Sequence, residues 1–105
     1  MDRIADAARA YIKHHLRCSI ATFGPVEGMA EAMAPFGLEV SRRWETVVSD
    51  LDLSDPDTRN KLSTVVNKVY VEVVREAPKE APTFQGLAHF FETFSVDSML
   101  TGITP

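Results

Sequence analysis

Met29-Ala30-Glu31-Ala32-Met33-Ala34-Pro35-Phe36-Gly37-Leu38-Glu39-Val40-Ser41-Arg42-Arg43-Trp44-Glu45-Thr46-Val47-Val48-Ser49-Asp50-Leu51 places large apolar side chains at 29, 33, 36, 40, 44, 47 and 51. Intervals of three and four residues put all seven on one side of an α-helix, where successive residues turn through about 100°. A helix is therefore expected over 26–51. Pro35 lies inside it and lacks an amide hydrogen, so the spacing predicts a kink there, or two helices meeting near Ala34.

The same logic extends in both directions. Ile4, Ala8, Tyr11, His15 and Cys18 repeat at helical spacing, with Ile12 and Leu16 widening the face, so a first helix is expected over 2–20. Phe23-Gly24-Pro25 ends it. Downstream, Ser54-Asp55-Pro56 is a start signal, because Asp55 can accept from exposed amides and Pro56 suits a first helical turn. The next helix is expected over 55–76, burying Leu62, Val65, Val66, Val69 and Val73. Its run Val69-Tyr70-Val71-Glu72-Val73-Val74 is rich in β-branched residues and reads partly as a strand. The upstream helical spacing decides for helix.

Ala77-Pro78-Lys79-Glu80-Ala81-Pro82 reads as a proline-marked loop. Thr83 then caps a final helix over 83–100, with Phe84, Leu87, Phe90, Phe91, Phe94 and Met99. Its apolar circumference predicts the central, most buried position. The tail Thr101-Gly102-Ile103-Thr104-Pro105 is not helical. The fold class is all-α: one domain over 1–105, a helical bundle with a buried central aromatic helix.

Composition bounds the function. The chain has 105 residues and a formal net charge of −4, with 45% hydrophobic and 25% charged residues. That suits one core and argues against nucleic acid as a partner, which demands a clustered positive surface. The one basic concentration, Arg9, Lys13, His14, His15 and Arg17, reads as a solvated helix face. Cys18 is the single cysteine, so an internal disulfide is excluded and a reducing compartment fits. No stretch reaches the ~18 apolar residues of a membrane span, and Met1-Asp2-Arg3-Ile4 lacks a secretory leader's apolar run. The expected location is cytoplasmic.

Chemistry-bearing patterns are sparse. His14 and Cys18 stand one helical turn apart, two ligands where zinc needs three or four. Asp55 and Asp57 flank Pro56 as a helix start, not as an acid–base pair. No nucleophile triad, phosphate loop or calcium loop is present. The expectation is a protein that is not an enzyme and needs no metal or cofactor.

Met29, Met33, Phe36 and Val40 with Gly37 resemble the four apolar positions and the small-residue position of the short death motif (BH-3 type) of the Bcl-2 family of apoptosis regulators. Thr64-Val65-Val66-Asn67-Lys68-Val69-Tyr70 resembles the helix before that family's first homology motif. Phe84-Gln85-Gly86-Leu87-Ala88-His89-Phe90-Phe91-Glu92 resembles the motif itself, with Phe84 at its usual tryptophan. The order of parts is similar to the family's fold without its last helices. Three positions depart. Leu38 stands where the death motif has an aspartate, Gly86 aligns with the motif-one arginine, and the stretch from Tyr70 to Phe84 is longer than usual.

The resemblance implies a regulator of apoptosis, of pro-survival type and similar to shortened viral homologues, that takes up amphipathic helices of pro-apoptotic partners in a hydrophobic groove. The groove would be lined by Val40, Trp44, Val48, Leu51, Val65, Val69, Tyr70, Phe84, His89 and Phe90, with Thr93 beside them. If viral, the chain would act in the host cytoplasm or at the mitochondrial surface. A bundle stopping at its central helix would leave Phe90, Phe91 and Phe94 incompletely covered, which predicts a homodimer or heteromer. The alternative is a small helical protein–protein interaction module, a death-fold adaptor or a phage or bacterial bundle with no apoptotic role. A small-ligand carrier built on the aromatic helix is a third and remoter reading.

Overall fold

Ile4, Ala8, Ile12 and Leu16 recur every fourth residue and are all buried, drawing the first helix into the middle of the molecule. The computed structural model describes residues 2–22, 29–80, 84–96 and 99. They form four helices: α1 (Asp2–Thr22), α2 (Met29–Ser49), α3 (Pro56–Glu80) and α4 (Phe84–Thr93). The protein is an all-α four-helix bundle with a buried aromatic cluster. The expected stop at Phe23-Gly24-Pro25, the Thr83 cap and the tail 101–105 lie outside the described residues.

The expected central helix was the aromatic one; the structure corrects this. It is α1 that packs against each of α2, α3 and α4. Between Ala7 and Leu16 every residue of α1 is buried or half-buried, whereas α4 leaves Gln85, Phe91, Glu92 and Thr93 exposed. The physical reason is side-chain size. Ala7 and Ala8 let neighbouring backbones approach α1, while Phe90 of α4 reaches inward from a helix on the periphery. The basic run on α1 is consequently not a free solvated face. Arg9, Lys13, His14 and His15 are half-buried and only Arg17 is exposed.

Contacts set the directions. Asp2 and Arg9 share one recess with Val65 and Glu72, so α3 runs parallel to α1. Gly37 lies by His14 and Trp44 by Tyr11, so α2 runs antiparallel. Gly86 lies by Ile20 and Phe94 by His15, so α4 is antiparallel as well. The helices alternate up and down around the hub.

Helix α2 runs unbroken through Pro35, so the alternative of two helices meeting near Ala34 is not what forms. It begins at Met29 and ends at Ser49, inside the expected 26–51. Leu51 sits in the following turn, its amide donating to Val48 O at 3.0 Å. Asp55 caps α3 as expected: its carboxylate accepts from the Asp57 amide at 3.2 Å and the Thr58 hydroxyl at 3.0 Å. The β-branched run is helical, with Val66, Val69 and Val73 in the core. α3 continues past the expected end at 76 to Glu80, because Ala77 is itself a core residue that carries the helix onward.

α4 is shorter than the expected 83–100. Its last helical bond runs from the Phe94 amide to Phe90 O at 2.9 Å, and Phe94 and Ser95 are non-helical. Thr93 donates back to His89 O at 2.8 Å, a competing bond of the kind that weakens a helix end. After the break Val96 and Met99 are again helical; Met99 is buried, and its carbonyl accepts from the Trp44 indole at 3.2 Å.

Candidate partner-binding surface

The residues expected to line a groove do come together, but as core. Trp44 is 3% exposed, Val48 and Val69 are equally closed off, and Phe90 is 0% exposed. Their rings form a continuous chain. Trp44 lies 6.5 Å from Tyr11, Tyr11 lies 6.4 Å from Phe94, and Tyr70 stacks on Phe94 at 5.9 Å and Phe90 at 6.2 Å. Offset contacts of this kind add to area burial. Expected gaps over Phe90 and Phe94 are filled; only Phe91 stays open, at 49%.

Of the remaining expected lining, Leu51, Val65 and His89 are half-buried. Val65 and Val69 share a recess of about 210 Å³ with Asp2, Ala5, Arg9, Lys68 and Glu72. Leu51 lines a separate recess of about 400 Å³ with Ile4, Val47 and Asp50. Trp44 lines neither. Val40 and Tyr70 are half-buried. The side chains of Met29, Met33 and Phe84 lie outside the described residues.

Gly86 sits where α4 meets α1. A Cβ built there would lie 2.9 Å from Ile20 Cα and 3.5 Å from Ile20 N. Glycine allows α4 to rest directly on the α1 backbone, and the position faces the hub. His89 belongs to the same joint. Its Nδ1 lies 3.1 Å from Ser19 Oγ, tying α4 to α1 across 70 residues of sequence. Thr93 is exposed beside it.

Among the described residues, the two most exposed large apolar side chains lie elsewhere, on the first half of α2. Phe36 is 57% exposed and Leu38 is 65% exposed, with Glu31, Ala32, Pro35 and Glu39 open around them. Of the expected death-motif positions, Phe36 therefore faces solvent, Val40 is half-buried and Gly37 rests against His14. The sequence stripe carried a signal of this split. Its second half holds Trp44, Val47 and Val48 together, while its first half interposes Pro35 and Gly37.

Burial pushes the Cys18 thiol up, so it stays protonated, and its Sγ lies 3.4 Å from His14 Nε2. Burial, and then the Arg17 charge, holds His14 below the ordinary histidine range. Tyr11 is raised by burial and then by Glu45. No group of three or more His, Cys, Asp or Glu side chains is arranged to hold a metal among the described residues. Nor is any helix among them long and apolar enough to cross a membrane.

Sequence reasoning missed two joints. Arg9 donates to Glu72 at 2.7 Å, joining α1 to α3; its partner is 63 residues away, so spacing had no access to it. Ser19, a polar residue on the apolar side of α1, was a legible sign that something must meet it. The chain matches no protein-family model, no curated protein and no solved structure.

Proposed function

We propose that this protein is a small helical protein–protein interaction module that docks through the first half of α2 and performs no covalent chemistry. One observation carries the reading: Phe36 and Leu38 are mostly exposed on a helix whose second half is anchored by Trp44 in the core. Covering one Phe- or Leu-sized side chain is worth roughly 1.5–3 kcal/mol before association costs. Two residues apart on a helix, they project about 160° from each other. A partner that covers both must embrace the outer side of α2, as a groove embraces a helix.

A Bcl-2-type regulator is the second reading, favoured by the exposure of Phe36 within the death-motif-like segment. In that form the chain offers its own helix to another protein's groove. The pro-survival form, a groove over Trp44, Val69 and Phe90, requires buried rings to part first. Self-association into a dimer through the same α2 surface belongs to this proposal as well.

Calorimetric titration of the full chain separates these readings. It is run against a groove-bearing pro-survival regulator and, separately, against amphipathic death-motif peptides. Heat with the first, lost in Phe36→Asp/Leu38→Asp, supports helix donation. Heat with the peptides, untouched by that double variant, supports the groove. Silence in both, with sedimentation showing a wild-type dimer that the variant dissociates, supports self-association alone. A monomer silent in both removes the apoptotic reading.

A further inference from the structure

The chain's three histidines all lie where α1 meets α2 or α4. His14 fills the space beside Gly37 of α2, its Nε2 being the atom that a Cβ there would meet at 3.1 Å. His15 is held between rings, 4.7 Å from Tyr11 and 5.3 Å from Phe94, which follows directly on α4. His89 of α4 meets Ser19. The His14 and His15 rings are only 6.0 Å apart, edge to face.

We propose that mild acid releases α4 and Phe94 from α1, triggered by protonation of His15 at that joint and reinforced by a charge on the adjacent His14. Two imidazolium charges side by side repel, and the one on His15 would sit against the Phe94 ring in a partly desolvated site.

The groups around the pair set the sign. From α1 come Tyr11, Arg17 and Cys18, of which Arg17 already opposes a charge on His14. From α2 comes Glu45, whose charge is felt at Tyr11 and works against release. From α4 and the residue after it come His89, engaged with Ser19, and the uncharged Phe94, which Tyr70 of α3 backs. Burial depresses both His14 and His15 from 6.5 in the closed state, and His14 further lowers His15. In the open state His14 stays beside Gly37, but His15, freed from Phe94, moves toward an ordinary histidine and binds more protons below 6.5. The closed state is thus favoured fully above that pH and loses ground as pH falls below it.

Native-state hydrogen exchange on the full chain tests this, comparing amides of α4 with those of α3 at about pH 7.5 and about pH 5.5 after correction for intrinsic rates. The expected result is a selective loss of protection in α4, of several-fold and at most about tenfold from His15, because about pH 5.5 lies only one unit below the ordinary histidine value. The His14→Gln/His15→Phe variant keeps a ring on Phe94 and should hold α4 protection constant across that range. Equal loss in α3 and α4, or the same α4 loss in the variant, overturns the proposal. If the double variant fails to fold, imidazole resonances of the wild type decide. Both rings titrating at the ordinary histidine value in the closed state would overturn it, and depressed titration accompanied by α4 opening supports it.

Discussion

Replacing Gly86 by alanine measures how firmly α4 is pressed onto α1. The new Cβ would lie 2.9 Å from Ile20 Cα, 3.4 Å from Ile20 Cγ1 and 3.5 Å from Ile20 N. Two of those atoms are backbone of the hub helix, so no rotamer change makes room and one helix must shift. Overpacking of this kind costs typically ~1–3 kcal/mol. Alanine's better helix propensity offsets up to ~1 kcal/mol of it. A net loss of ~1–2 kcal/mol is expected, and each kcal/mol is worth roughly 4–8 °C in Tm for a domain of this size.

Gly37→Ala is the matched control. Its Cβ would meet only the His14 ring, nearest at 3.1 Å, and an imidazole can yield where a backbone cannot. Helix propensity then decides, and the variant should be neutral or stabilised by up to ~1 kcal/mol. Urea and thermal unfolding of both proteins provide the comparison. Gly86→Ala as stable as wild type, or Gly37→Ala the more damaged of the two, would refute the close approach of α4 to the hub.

Trp44→Phe keeps an aromatic ring in the core but removes the indole donor to Met99 O, so a loss of ~1 kcal/mol beyond the packing change is expected in urea denaturation. Asp55→Ala removes the acceptor for the Asp57 amide and the Thr58 hydroxyl and should lower stability by ~1 kcal/mol, while Asp55→Asn should recover most of it. Arg9→Ala and Glu72→Ala, combined in a double-mutant cycle, should couple by less than about 1 kcal/mol, because both side chains stay partly exposed. Phe36→Asp and Leu38→Asp should each leave Tm within the error expected of ~0.5 kcal/mol, since both side chains already face water.

Helix placement was largely legible because apolar spacing is a local property. Asp55 and Pro56 marked the start of α3 correctly, and the valine run folded as helix because Leu62 and Val66 had already set the phase. Helix ends were less legible. α3 outran its proline-marked expectation because Ala77 found a core to enter. α4 stopped early because Phe94 and Met99 were drawn toward Tyr70 and Trp44. Candidate site residues fared unevenly for a related reason. Spacing shows which side of a helix is apolar, not whether a neighbouring helix will cover it. Trp44, Val48 and Val69 are covered and Phe36 is not, although Phe36, Trp44 and Val48 all belong to α2.

By itself, the amino-acid order determined that this chain is helical and where its apolar faces lie. Those properties follow from residue type and short-range periodicity. Only the tertiary arrangement decided that α1 is the hub, that Gly86 serves a backbone contact, that His89 answers Ser19, and that the two most exposed large apolar side chains among the described residues are Phe36 and Leu38. Each of these depends on which distant residues meet, and that is selected by close packing of whole helix faces.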